Sequence, residues 1–371
     1  MRWQRQAGLA CALLGTTTLG YTREIRAGER WTQFGLRPLG MGNAFVAVVD
    51  DYNTLFYNPA GLARLKTWDG ELLNPALTVS SGVQSLVKDA QEATDSESET
   101  AILDLIEENT GENFHFGLNF TPHLIFPHFG FALGLDLANT LVFHRDISVD
   151  VDTGLRFTLP IAFASNFLDD RLSIGAGVKF RARGGVDREF SIDDIEAFRK
   201  KEKDDNGKEL KDYVLGGSGL GADIGILFTP IKTMEPTLGL SITDLGGTPY
   251  REAKVGADDA TGAPPITLPS VNIGMSLKPI QKDRLYVLTA VDMQAINQPN
   301  SFSKKLNLGA EFGYGNIIKV QTGLYQGYVT AGFQLDLSVI NLRVITYAEE
   351  LGSVAGYRED RRFAAQIKLI I

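Results

Sequence analysis

The sequence predicts an all-β protein: a transmembrane antiparallel β-barrel of about 14 strands, with a small N-terminal hatch inside the lumen. Three observations lead to this prediction. Most of the 371-residue chain alternates apolar and polar residues with a period of two, which is typical of strands with one apolar face. Glycine is abundant, at 39 residues, as strands and turns require. The sequence has no apolar run of about eighteen residues, the length that a membrane-spanning helix needs.

Residues 1–20 differ from the rest of the chain and predict a signal peptide. Arg2 and Arg5 form a short basic start, residues 7–15 are an apolar core, and small residues follow. The alternative is a buried N-terminal helix. Cys11, the one cysteine of the chain, lies in this segment. We therefore expect a mature protein without disulfides, stabilised by hydrogen-bonded structure or by a membrane.

Residues 37–65, RPLGMGNAFVAVVDDYNTLFYNPAGLARL, are rich in turn formers and half apolar. Gly40 and Gly42 permit tight turns, and Asn58 with Pro59 predicts a turn that places proline at a first helical position. Because the segment precedes the first strand, it lies on the periplasmic side or inside the barrel, where fourteen strands leave room for a plug. The predicted signal peptide and barrel occupy residues 1–20 and 71–371.

The strands are clearest in segments such as 171–183, RLSIGAGVKFRAR, and 305–314, KLNLGAEFGY. In a soluble sheet the apolar face turns inward, whereas in an outer-membrane barrel it faces lipid and the polar face lines the lumen. Many segments span about 9–13 residues, enough to cross a bilayer at a tilt and longer than most soluble strands. Lys179 and Asp336 carry charge in mid-strand on the polar face. These features favour the membrane barrel over a soluble periplasmic β-protein.

The alternation gives one strand more than the fourteen that we prefer, and bacterial barrels have even numbers. The candidates are 71–83, 113–125, 129–138, 140–151, 153–166, 171–183, 213–229, 235–244, 267–279, 283–293, 304–314, 316–326, 327–336, 338–347 and 361–371. Long connections fall at 84–112, 184–212, 245–266, 294–303 and 348–360. Removing one candidate between residues 113 and 183 places every long connection after an odd strand, on the extracellular side. Adding a strand near 186–192 would instead give sixteen.

Composition and motifs argue against several other functions. The net charge of −9 argues against nucleic-acid binding. We find no nucleophile–base motif, so we expect no enzymatic activity. The glycine-rich stretch at 216–223 is interpreted as a strand and not as a dinucleotide-binding motif, so we expect no cofactor. His115, His123, His128 and His144 show neither helical spacing nor a carboxylate partner, and they predict girdle or interfacial positions instead of a metal site.

The segment before the first strand carries two motifs, whose residues are Gly40, Met41, Gly42, Ala44, Phe45, Val46, Ala47, Asp50 and Asp51, then Asn58, Pro59, Ala60, Gly61 and Leu62. This pair resembles the outer-membrane long-chain fatty-acid transporter family, FadL/TodX type, with its PorV-like and spirochaete relatives. The resemblance is dense over about 30 residues and elsewhere rests on architecture. It implies a fourteen-stranded barrel closed by a small N-terminal hatch at residues 21–70. A hydrophobic ligand would pass through an apolar cavity beside the hatch, and hatch movement and a lateral opening would release it.

We therefore predict an outer-membrane channel that takes up hydrophobic molecules such as long-chain fatty acids, in a Gram-negative-type bacterium. Lumen-facing Lys179, Arg181 and Arg183 are candidates to hold the ligand carboxylate, as is Arg37, because an unpaired buried carboxylate is costly. These cations could instead pair with lumen acids. The alternative function is a PorV-like scaffold with a permanent plug and a protein partner. Apolar helical spacing in loop 84–112 favours ligand capture, whereas short loops favour the scaffold.

Overall fold

The computed structural model describes residues 35–95, 101–194, 197, 210–254, 260–315, 317–337 and 340–369. The predicted signal peptide and residues 21–34 of the predicted hatch lie outside this part of the chain. Among the described residues, no helix is long and apolar enough to cross a bilayer.

In the described residues, fourteen antiparallel strands form one sheet that closes on itself, because the last strand pairs with the first. The first three strands are each interrupted. The strands are β1 (Asp69–Glu71 and Ala76–Ser80), β2 (Asn113–Phe120 and His123–Phe126), β3 (Phe129–Ala132 and Gly134–Phe143), β4 (Val149–Phe167), β5 (Leu172–Phe190), β6 (Leu215–Phe228), β7 (Thr237–Thr243), β8 (Ser270–Lys282), β9 (Leu285–Met293), β10 (Leu306–Tyr314), β11 (Ile318–Tyr325), β12 (Tyr328–Asp336), β13 (Ile340–Glu350) and β14 (Glu359–Leu369). A short segment, Arg251–Glu252, also pairs with β6.

Short helices lie before and between the strands. They are α1 (Leu36–Gly40), α2 (Thr54–Tyr57), a 3-10 helix (Pro59–Arg64), α3 (Val83–Asp95), α4 (Ala101–Glu108), a second 3-10 helix (Leu210–Tyr213) and α5 (Phe302–Lys305). The predicted turn at Asn58 is present: its side chain accepts a hydrogen bond from the Ala60 N–H, and Pro59 begins the helix. Proline is suited to this position because the first turn of a helix leaves its N–H groups without intrahelical partners.

The strand count of fourteen confirms our preferred prediction and identifies the surplus candidate. The predicted strand at 140–151 is wrong: its first part belongs to β3, its last part to β4, and a turn separates them. The sixteen-strand alternative is also wrong, because residues 186–190 extend β5. The long connections follow β1, β5, β7, β9 and β13. All therefore lie on one side of the barrel, as predicted.

The barrel wall is polar inside and apolar outside. On β12–β14, Phe333, Val344 and Ile367 are about half exposed, whereas their neighbours Gln334 and Gln366 are at most 2% exposed. A soluble sheet would bury the aromatic and branched side chains and expose the amides. This inverted arrangement suits a wall that faces lipid, and it contradicts the soluble β-protein alternative.

Candidate functional site in the lumen

The N-terminal segment, residues 35–65, lies against lumen-facing groups of the barrel wall. From β12, Thr330 Oγ1 donates a hydrogen bond to the Gly40 carbonyl at 2.9 Å and accepts one from the Gly42 N–H at 3.0 Å. From β9, Asp292 Oδ2 accepts from the N–H groups of Phe45 and Val46 at 2.6 and 2.8 Å. Side chains of the wall therefore satisfy main-chain groups that the turns within the segment leave without partners.

The second motif is held on the other side of the ring. Asn58 Nδ2 donates to the carbonyl groups of Val46, Ile226 on β6 and Leu240 on β7. Asn166 on β4 donates to the Ala63 carbonyl at 2.8 Å. Met41, Asn58 and Ala60 are fully buried or nearly so. The segment thus contacts strands on opposite sides of the barrel, and both motifs lie in the lumen.

Glycines of the wall provide the space for this close contact. A Cβ atom at any of six lumen-facing glycines would lie 3.0 Å or less from an atom of the N-terminal segment. These glycines are Gly175, Gly225, Gly239, Gly274, Gly309 and Gly323, and we call them the glycine belt. They lie on β5, β6, β7, β8, β10 and β11. The main chain of the segment consequently packs directly on the main chain of the wall.

Arg37 joins the first motif to the wall through one charge cluster. Its guanidinium group donates to both carboxylate oxygens of Glu311 on β10, each at 2.8 Å. It also contacts Asp51 at 2.9 Å and Asp50 at 2.5 Å. Burial alone would raise the pKa of the Asp51 carboxyl, but the Arg37 charge and hydrogen bonds from Asn53 hold this pKa below its usual value. Arg37 is therefore neutralised from within the protein.

Two of the other three predicted ligand-binding cations are also paired. Lys179 Nζ lies 2.8 Å from Asp223 and 3.1 Å from Asp244. Arg181 lies 3.1 Å from Asp244, which belongs to the loop after β7. These contacts correspond to the alternative in which the lumen cations pair with lumen acids.

Arg183 has a different environment. Among the described residues, it forms no ion pair, and its guanidinium carbon lies 5.9 Å from the centre of the Tyr250 ring. It lines a cleft near the extracellular ends of β4–β6, together with the apolar side chains of Leu215, Pro264 and Pro265 and the charged side chains of Asp152, Arg156 and Asp187. Arg183 differs from the other candidates because it has no ion pair in the described part of the chain and lies next to apolar groups on one side of the cleft.

Arg64, at the end of the 3-10 helix, is a second lumen cation without an ion pair in the described part of the chain. Its guanidinium group donates to the hydroxyl groups of Ser173, Thr229 and Thr237 at 3.4, 2.7 and 3.1 Å. Burial lowers the pKa of Arg64 to about 10. Hydroxyl groups thus accept from all three nitrogens of Arg64, which fastens the segment to β5–β7.

The predicted girdle or interfacial position is wrong for His115 and His123, and the expected lack of a carboxylate partner is wrong for His123 and His144. His115 and His123 are buried on the lumen side, and His123 Nε2 lies 3.6 Å from an Asp69 carboxylate oxygen. His144 Nε2 likewise lies 3.1 Å from Asp150. Carboxylate partners were missed because Asp69 lies on β1, more than fifty positions before His123 in the sequence, and strand pairing alone joins them.

The predicted helices of the first long loop are present as α3 and α4. Their apolar residues Val83, Leu86 and Ile106 pack with Phe114 and Phe143 at the ends of β2 and β3. The helical spacing therefore builds a small core within the loop. This packing supports the interpretation of residues 84–112 as a loop with two short helices. It does not support the other interpretation, an open apolar groove that captures a ligand.

Solved structures with this architecture are found by comparison. A mutant of TodX, titled a monoaromatic hydrocarbon channel, superposes with a TM-score of 0.51 over 91% of this chain and 97% of its own, at 12% identity. CymD, also titled a monoaromatic hydrocarbon channel, gives a TM-score of 0.52 over 91% and 98% of the two chains, at 11% identity. This chain has the fold of the FadL/TodX-type channels. No protein-family model and no curated protein sequence matches it.

The comparison confirms the predicted resemblance at the level of the fold, over nearly the whole chain. It also agrees with the strand count, because these barrels cover almost all of their own length in the superposition. The two reported structures are titled monoaromatic hydrocarbon channels.

Proposed function

We propose that this barrel takes up hydrophobic molecules, such as long-chain fatty acids, across the outer membrane without chemical catalysis. The proposal is supported by its fold, which it shares with barrels titled as channels for monoaromatic hydrocarbons. In this proposal residues 35–65 are the gate, which closes the lumen at rest and shifts to let the solute pass. The solute enters from the side of the long loops.

The observation that carries the ligand class is the position of Arg183. A fatty acid has a long apolar chain and one carboxylate, and the carboxylate needs a cation when it leaves water. Arg183 is the predicted cation that has no ion pair in the described residues, and it lies beside Leu215, Pro264 and Pro265. The guanidinium group would bind the carboxylate in a bidentate manner, while the cleft receives the first part of the chain.

Oleate binding to the protein in detergent tests this assignment. We expect Arg183→Ala to weaken binding about 10-fold or more, the equivalent of one charge-assisted hydrogen bond, and Arg183→Lys to recover part of the loss. Arg251→Ala is the matched control, because Arg251 is an exposed cation at the same end of the barrel. Equal affinity of Arg183→Ala and the unaltered protein would contradict the assignment.

A specific observation also favours the second candidate, a scaffold barrel with a permanent plug. The glycine belt and the Arg37 cluster hold the N-terminal segment tightly, and α3 and α4 use their apolar residues within their own loop. A scaffold needs a protein partner and no movement of the segment. The two candidates therefore differ in one property, which is whether residues 35–65 must move.

A further inference from the structure

Three potential metal ligands meet at the short-turn end of the lumen. Asp69 and Glu71 are two positions apart on β1 and so point to the same face. His123 on β2 is paired directly with Glu71 across the two strands. One ligand atom from each of the three residues lies within 4.8 Å of the other two. Strand pairing, and not sequence proximity, produces this arrangement.

The hydrogen bonds of His123 define the state of its ring. The side chain is fully buried, and Nδ1 lies 3.1 Å from the Thr121 carbonyl oxygen, which accepts only from a protonated nitrogen. In the neutral ring Nε2 then carries a lone pair. Among the described residues Nε2 has no hydrogen-bond partner, and it lies 3.6 Å from Asp69 Oδ2. A lone pair beside a carboxylate is repulsive unless a cation or a proton lies between them.

Neighbouring groups hold the ligands in place. Asn74 Nδ2 donates to Glu71 Oε2 at 3.0 Å, and Lys368 Nζ donates to Glu71 Oε1 at 2.7 Å. The His123 ring stacks on Tyr52 of the N-terminal segment, with 4.2 Å between the ring centres. Histidine-containing metal sites commonly have two such features: the second ring nitrogen donates a hydrogen bond to a carbonyl group, and the ligating carboxylates are held by hydrogen bonds. In the described part of the chain, Lys368 is the cation that is paired with Glu71 and competes for it.

We propose that His123 Nε2, Asp69 and Glu71 bind a divalent transition metal of the Zn²⁺ class. An imidazole nitrogen favours such ions over Ca²⁺ and Mg²⁺, which prefer oxygen ligands. Zinc bonds of about 2.0–2.2 Å place tetrahedral ligand atoms about 3.3–3.5 Å apart, close to the separation of His123 Nε2 and Asp69 Oδ2. Glu71 Oε2 lies 4.0 Å from His123 Nδ1, and both Glu71 oxygens accept hydrogen bonds, from Asn74 and Lys368. Glu71 therefore has to turn away from one of these donors, toward Nε2, to complete the set. Asp69 is half exposed, so the ion reaches the site from the periplasmic side.

Bound metal would connect three parts of the molecule. It bridges β1 and β2 directly, and it fixes the imidazole ring on which Tyr52 is stacked. Occupancy should therefore stabilise the N-terminal segment in the lumen as well as the first strand pair. The site does not depend on which solute crosses the barrel.

Metal binding to the full chain in detergent tests the proposal after removal of metal with a chelator. Titration with Zn²⁺ is expected to show one site per chain, and Co²⁺ to give the visible absorption of a nitrogen- and oxygen-ligated ion. His123→Gln and Asp69→Asn should each weaken Zn²⁺ binding about 10-fold or more, and Lys368→Met should strengthen it. His144→Gln is the matched control, because it removes the His144–Asp150 pair, a histidine–carboxylate pair outside the proposed site.

Two results would overturn the proposal. One is Zn²⁺ binding that is unaffected by His123→Gln and Asp69→Asn, which would place the ion elsewhere. The other is the absence of saturable binding, together with an imidazole that is protonated on both nitrogens and paired with Asp69. Circular dichroism of each variant shows whether the barrel is folded, so that loss of the site is distinguished from loss of the protein.

Discussion

At the scale of single residues, the lumen is organised by charges that neutralise one another. Arg37 faces Glu311, Asp50 and Asp51. Arg37, Asp50 and Asp51 are near one another in the sequence, and the sequence analysis allowed the lumen cations to pair with acids. The contribution of Glu311, 274 positions away, could not be predicted, because no local pattern tells which lumen acid lies opposite a given cation.

We expect Arg37→Met to release the N-terminal segment. Removing one partner of a buried ion pair leaves uncompensated charge and costs about 3–5 kcal/mol. Because Glu311 is fully buried and Asp51 is four-fifths buried, the lost stability should appear as faster proteolysis of residues 35–65. Glu92→Gln, which alters an exposed ion pair with Lys88, is the control and should leave proteolysis unchanged.

The same cluster gives a pH dependence whose sign can be stated. Asp51 has a lowered pKa in the folded protein, so its contribution to stability is present above its unfolded pKa of about 4 and is lost as the pH falls through the folded value. In Arg37→Met, burial without the Arg37 charge would raise the pKa of Asp51. Protonation of Asp51 at acid pH would then stabilise residues 35–65 in the lumen. Thermal unfolding between pH 3 and 7 checks this reversal, and parallel pH profiles of the two proteins would contradict it.

At the scale of elements, alternation predicted most strands because lipid and lumen impose opposite chemistry on adjacent residues. It failed at 144–148, where the alternating pattern continues through a turn and Ile147 takes a positive φ of 58°. It also missed the interruption of β1 by residues 72–75, which brings Asp69 and Glu71 beside His123. The glycine belt was visible as a high glycine content, but its contact with residues 35–65 required the three-dimensional arrangement.

The belt leads to a prediction about packing. A Cβ at Gly175 would lie 2.4 Å from the Pro59 carbonyl carbon, which is closer than van der Waals contact allows. Main-chain atoms cannot move without their neighbours, so Gly175→Ala should displace the segment at a cost of about 1–3 kcal/mol. Gly262→Ala is the matched control, since its Cβ would meet Leu215 alone, at 3.6 Å. Protease sensitivity of residues 35–65 gives the readout. Equal sensitivity of the two variants would show that the contact is unimportant.

At the scale of the whole molecule, the protein is a closed barrel with an N-terminal segment in its lumen. The apolar outer face and the fourteen strands indicate a membrane barrel. The superposed structures have the same fold. Residues 35–65 contact strands around the ring, so transport requires this segment to move. We propose that it moves to admit a hydrophobic solute.

A disulfide between the segment and the wall tests that claim most directly. A Cβ on Gly40 would lie 3.3 Å from the Gln321 Cβ on β11, close to the separation in disulfides, and the mature chain is expected to have no other cysteine. Oleate uptake by cells carrying the Gly40→Cys, Gln321→Cys double variant should stop under oxidising conditions and return with a reductant, while each single variant transports under both. Equal uptake in the oxidised and reduced double variant would contradict the gate and identify residues 35–65 as a fixed plug.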